Sequence, residues 1–135
     1  MPCQRPPFGT IHAFDLASRK QVWGKPFGTA AESGPFGIPV KLPIPMGVPN
    51  MGGSVATAGG LVFIAAAQDG RLRALDTGTG RELWSAKLPA VGAASPMTYV
   101  SPRTGRQYVV IAAGGHYGIP GPSGAAILAY ALPAK

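Results

Sequence analysis

Apolar and polar positions along this chain alternate in short runs of period two. No 3.6-residue period lasts longer than about two turns, so the pattern predicts strands and no long helix. Residues 9–15 and 21–25 read as one pair of strands. Four more are predicted at 54–57, 61–67, 71–76 and 82–88, and a last set at 96–100, 107–113 and 125–132. Between them lie turn signals: Ala58-Gly59-Gly60, Gln68-Asp69-Gly70 and the stretch 101–106. Two runs break the alternation. LVFIAAA at 61–67 and YVVIAA at 108–113 are apolar at every position, the mark of strands covered on both faces.

The pattern also repeats. GRLRALDTGTGRELW at 70–84 lies over GTIHAFDLASRKQVW at 9–23 without a gap. The copies share Gly9/Gly70, Ala13/Ala74, Asp15/Asp76 and Trp23/Trp84, and YVVIAA follows LVFIAA in the same way. In each copy Asp opens a tight turn through its own side chain, and in the second the glycines of Asp76-Thr77-Gly78-Thr79-Gly80 accept positive φ. An indole at the same place in each copy is expected to sit buried between neighbouring sheets with its N–H on a carbonyl. Repeated four-stranded units with apolar middle strands describe propeller blades. The expected fold is all-β: a partial β-propeller of about two four-stranded blades plus the outer strands of another.

Such units bury their faces only against neighbours. The chain is therefore expected to be the carboxy-terminal piece of a longer protein, or to fold against a partner supplying the other blades. The Pro/Gly-rich passage 26–53 is too apolar for disorder (Phe36, Ile38, Val40, Leu42, Ile44, Met46, Val48) and is expected to be packed and ordered.

Composition narrows the function. A net charge of +7 raises nucleic-acid binding, but the twelve basic residues are scattered and few aromatics lie among them to stack bases, so that class is set aside. The lone Cys3 has no partner for an internal disulfide and no metal-ligand spacing around it. The apolar runs fall far short of the ~20 residues that span a bilayer, and no signal-peptide core follows Met1.

No phosphate loop, zinc spacing or nucleophile elbow is present. Of the five acids, Asp15 and Asp76 belong to the repeat turns and Glu82 reads as a solvated strand residue. Three residues stand apart. His116 follows Gly114-Gly115 at the end of an apolar strand, opening the loop 114–124, where function collects. Asn50 presents an amide in Val48-Pro49-Asn50-Met51-Gly52-Gly53, and Asp69 precedes Gly70 in a turn. An ordinary loop or turn role is open for each.

At these residues the chain resembles a known family. The repeat AxDxxTGxExW is similar to the tryptophan-docking motif of quinoprotein dehydrogenases, propellers that bind pyrroloquinoline quinone. VPNMGG at 48–53, PMTY at 96–99, RQYVVIAAGGH at 106–116 and LAYALP at 128–133 resemble more narrowly the membrane-bound glucose/quinate/shikimate family. The resemblance implies an eight-bladed propeller facing the periplasm and anchored to the bacterial inner membrane by helices outside this chain. It implies oxidation of a sugar or polyol hydroxyl, glucose to gluconolactone first among them, with Ca²⁺ or Mg²⁺ beside the quinone and ubiquinone as acceptor. By motif, His116, Asn50 and Asp69 are implied as cofactor-binding, Asp69 through the stability of the metal-and-quinone complex. The catalytic aspartate and most metal ligands would lie outside the chain. The loop YGIPGPSGAA departs from the Gly-Ser-Phe-Gly-Thr-Lys stretch of glucose-type members, leaving the substrate open. A non-enzymatic propeller scaffold, such as an outer-membrane assembly factor, remains the second reading.

Overall fold

A computed structural model describes residues 5–32, 38, 41–42 and 44–133. Among them are three antiparallel sheets and one short 3-10 turn, Ala30–Glu32. The first sheet pairs β1 (Thr10–Asp15) with β2 (Lys20–Pro26). The second is a four-stranded meander of β3 (Ser54–Ala56), β4 (Leu61–Ile64), β5 (Arg71–Asp76) and β6 (Glu82–Lys87). The third holds β7 (Met97–Val100), β8 (Gln107–Ala113) and β9 (Ala126–Tyr130). The last unit has, among the described residues, the three strands expected at 96–100, 107–113 and 125–132, one short of the four-stranded blade they were grouped into.

The repeat is structural. Ala13 pairs with Trp23 across β1 and β2, Ala74 with Trp84 across β5 and β6, and each pair is followed by a register shift before the turn. Asp15 accepts the N–H of Ala17 and the hydroxyl of Ser18. Asp76 accepts the N–H and hydroxyl of Thr79. The same side chain therefore shapes both turns, and Gly80 closes the second at a φ of 70°.

LVFIAAA is covered on both faces, as its composition requires. Ala65 packs with Leu72 and Leu88 against Val109, Ile111 and Ala113 of the third sheet. Ile64, Ala66 and Leu75 pack with Phe27 and Val48, with Ile11 and Trp23 of the first sheet alongside. Leu72, Leu75 and Ile111 are fully buried. Each such side chain contributes about 1.5–3 kcal/mol on burial. The strand itself stops at Ile64, since Ala67 turns aside to bridge Asn50 and Gln68 N–H donates to Pro49 O.

Trp23 behaves as expected, its N–H donating to Thr77 O at 2.8 Å in the next sheet. Trp84 remains more exposed and meets Tyr130 of the third sheet edge-on, ring centroids 5.1 Å apart. The outermost faces stay open: Phe14 on the first sheet is 59% exposed and Ile127 on the third 78%. These are strand faces built to be covered.

The 26–53 passage is ordered where described. Phe8 N–H donates to Met46 O, and Val48 N–H to Phe27 O, which lays this stretch beside the end of β2. Val48 is buried, but Ile38, Leu42 and Ile44 are exposed, against the expectation of packing, because no described segment lies over them. Phe36 and Val40, like Cys3, lie outside the described residues.

Candidate functional site

In an antiparallel meander the links between sheets and the β4–β5 and β8–β9 links fall at the same end. Hydrogen bonds tie them together there: Gln68 N–H to Pro49 O, and Gly115 N–H to Val91 O. Counting from the matched strands, His116 occupies in the third sheet the place that Asp69 occupies in the second. All three candidates therefore project from one end of the sheets.

His116 begins a tight turn. Ile119 N–H donates to His116 O at 3.1 Å, and Gly118 N–H donates to the ring Nδ1 at 3.0 Å. An accepting Nδ1 leaves the proton of the neutral ring on Nε2, so the turn presents an N–H donor outward. Gly115 makes the approach possible: at φ 79°, a β-carbon there would lie 2.9 Å from Ser123 Cα. His116 and Tyr117 line a cleft of about 490 Å³ with Gly114, Gly115 and Pro120.

Asn50 sits exposed at the first junction, its Nδ2 donating to Val48 O at 3.4 Å and its backbone bridged to Ala67. Gly9 packs beneath it; a β-carbon there would come 2.4 Å from Asn50 Nδ2. The amide is held by backbone on both sides.

Asp69 is 3% exposed and both its oxygens are taken. Oδ1 accepts Arg73 Nη1 at 3.0 Å, and Oδ2 accepts Arg73 Nη2 and the N–H of Thr29. Arg73 in turn donates Nε to Glu82 Oε2 at 3.1 Å and lies over the Phe27 ring, 5.4 Å from its centroid. Little in the local sequence points to this network. Arg73 is 4% exposed, and Glu82 is the solvated strand residue expected, its side chain 41% exposed, while also accepting from Arg73. Thr29 and Phe27, from the segment after β2, were not singled out either. The only cue was an arginine on a strand with an acid four residues before it and another nine after.

The structure therefore gathers Asn50 and Asp69 at the first junction and sets His116 at the same end of the third sheet, in a separate cleft. A cleft of about 350 Å³ between the first two sheets is lined by Lys25, Phe27, Thr29, Arg73 and Glu82. Burial lowers the pKa of Lys25, and Glu82 nearby partly offsets that.

A flat quinone with acidic substituents accepts N–H donors at its edge, and the His116 Nε2–H and Asn50 amide are of that kind. Each donor is chemically suited to such a group, and the two stand apart at the same end of the sheets. A metal ion is different: among the described residues no cluster of three or more His, Cys, Asp or Glu could hold one.

Two successive sheets docked through a tryptophan, with a third stacked beyond, are part of a β-propeller. A family model described as "PQQ: Glucose/ethanol/alcohol dehydrogenase, beta-propeller domain" matches residues 1–109, and the chain belongs to that family. It is 53% identical over 133 residues to the probable quinate dehydrogenase (quinone) of Xanthomonas campestris pv. juglandis, covering 98% of this chain and 17% of that protein. It is 52% identical over 134 residues to the glycerol dehydrogenase large subunit of Gluconobacter oxydans (strain 621H), covering 98% and 18%. The chain thus spans less than a fifth of the length of these relatives. Among solved structures it is similar to the quinohemoprotein alcohol dehydrogenase from Comamonas testosteroni, with a TM-score of 0.57 and 33% identity over 84% of this chain and 13% of that one. Of the two readings left open above, the family model and these relatives bear out the dehydrogenase family.

Proposed function

We propose that this chain is the carboxy-terminal portion (residues 1–135 of the numbering used) of the propeller of a pyrroloquinoline quinone-dependent dehydrogenase. The whole enzyme oxidises a hydroxyl of a sugar or polyol. The relatives' names supply quinate and glycerol as substrates, and the family description adds glucose and alcohols. Electrons pass to ubiquinone, and the propeller faces the periplasm from the bacterial inner membrane. Among the described residues no helix is long and apolar enough to cross a membrane.

His116 and Asn50 would hold the quinone, which would supply hydride-accepting chemistry, and a divalent metal held by residues outside this chain would supply Lewis-acid polarisation. This chain's own part is to bind and orient. His116 offers Nε2–H as a directional donor, fixed because Nδ1 is held by Gly118. Asn50 offers its amide from a loop held on Val48. Asp69 supports the site from behind, pinning the 27–29 segment and β5 through Thr29 and Arg73. The proton acceptor and the metal ligands are contributed from outside these residues.

The observation that carries this reading is the family match together with the outward N–H of His116 at the sheet ends. The test is a titration of the full-length apoprotein with pyrroloquinoline quinone, followed by fluorescence, for wild type and His116→Ala. A loss of about tenfold in cofactor affinity is expected for one charge-assisted donor. Unchanged affinity with unchanged substrate preference removes His116 from the site.

A further inference from the structure

In the loop after β8, Tyr117 lines the cleft beside His116. Tyr117 stands at the tip of the His116–Ile119 turn and is fully exposed, at 101% of its reference area. The loop is not loose around it. Ile119 beneath is 4% exposed, its N–H closes the turn onto His116 O, and Gly118 N–H holds the imidazole. The Tyr117 ring lies over the His116 ring, centroids 4.6 Å apart and planes 29° from parallel. The two rings make one wall of the 490 Å³ cleft. Further sheets added to the ring would cover the sheet faces, where Phe14 and Ile127 lie. This turn projects from a sheet end instead.

A phenol presented to water costs hydration of its apolar faces unless something is laid on it. A saturated ring bearing several hydroxyls has the right shape: a rigid C–H face and a polar edge. An open-chain polyol has no such face and must lose rotamer freedom to imitate one.

We propose that Tyr117 selects cyclic polyhydroxy substrates, a cyclohexane or pyranose, by stacking on their C–H face beside the quinone edge that the neighbouring His116 Nε2–H holds. This rests on the dehydrogenase reading and adds the substrate class to it. Tyr117 is a specificity residue here, taking no part in hydride or proton transfer.

The test uses the full-length holoenzyme with quinate and glucose as cyclic substrates and glycerol as the open-chain one. Tyr117→Ala should raise KM for the cyclic substrate about five- to tenfold, with kcat changed by less than about twofold and glycerol kinetics unaltered. Tyr117→Phe should restore the cyclic KM, since it keeps the ring. Calorimetric titration of quinate into the protein lacking quinone should show the same loss of affinity for the alanine variant. A KM change equal for glycerol and the cyclic substrates, no change at all, or a wild type that oxidises glycerol alone overturns the role of Tyr117. In each of those cases the quinone-dependent activity itself stands. A wild type that binds no quinone overturns the dehydrogenase reading, and the inference with it.

Discussion

Gly80 is the seat of Trp23. A β-carbon at Gly80 would lie 2.7 Å from the indole ring carbons, and the N–H of the same indole reaches Thr77 O at 2.8 Å, three residues earlier in the turn. The first sheet is thus held to the second at this turn by Trp23, with Lys25 of the same strand donating its Nζ to Gly80 O. The turn keeps its shape because Asp76 holds it from within.

Gly80→Ala should destabilise the protein by about 2 kcal/mol or more, combining a strained φ of 70° with the clash against the ring. Urea denaturation of the full-length protein checks this. Trp23→Phe removes the N–H bond and should cost about 1 kcal/mol. In a Trp23→Ala background the Gly80→Ala cost should shrink to that of the backbone alone, and this non-additivity is the signature of direct packing.

Asp69 and Arg73 are both buried, with side chains 1% and 5% exposed. Neutralising Asp69 leaves the buried Arg73 only the half-exposed Glu82 as counter-charge, so Asp69→Asn should cost about 3 kcal/mol. Asp69→Asn combined with Arg73→Met should cost less than Asp69→Asn alone, because no uncompensated charge remains. If Asp69 acts by support, quinone affinity in Asp69→Asn should fall in step with thermal stability and recover when Thr29 and Phe27 are held by a stabilised background. Loss of affinity with unchanged stability would mean direct contact instead.

The turn aspartates give acid sensitivity. The Thr79 hydroxyl, then the Thr79 N–H, hold the Asp76 carboxyl below its ordinary value of 3.8. The Ser18 hydroxyl, then the Ala17 N–H, do the same for Asp15. A carboxyl whose folded pKa is depressed adds stability above its unfolded pKa and loses that contribution as pH falls through the folded one. Stability should therefore drop as pH falls below 3.8, the value from which both carboxyls start. The Asp15→Ala/Asp76→Ala double variant should show a shallower decline over the same range, measured by denaturation midpoint against pH.

The all-β class, the repeat and the sheet-to-sheet tryptophan were legible because each leaves a local mark: period two, a turn aspartate, an apolar strand. Asp69 was legible as a residue but not as a partner. An Asp-Gly turn explains itself locally, and nothing in 69–73 says that the arginine folds back under cover of Phe27. Burial of a charge is set by what lies across the junction, here the 27–29 segment, which the sequence separates by forty residues. The end of β4 was misjudged for the same reason: Ala65 to Ala67 are as apolar as the strand, but Asn50 and Pro49 capture their continuation.

Gly114 and Gly115 looked equivalent in the sequence and are not. A β-carbon on Gly114 would find nothing nearer than Gly124 O at 3.7 Å, whereas on Gly115 it would lie 2.9 Å from Ser123 Cα and 3.0 Å from Pro122 O, with φ at 79°. Gly115 is where the two arms of the 114–124 loop touch, and its N–H anchors that loop to Val91 O at 2.9 Å. Gly114→Ala should therefore behave as wild type. Gly115→Ala should push the arms apart and swing His116 from its place, lowering quinone affinity about tenfold while costing only about 1 kcal/mol of global stability, since the loop lies outside the packed sheets. Cofactor titration and urea denaturation on the two variants side by side check the contrast. Equal behaviour of the two alanines would mean that the arms of the loop do not meet as described.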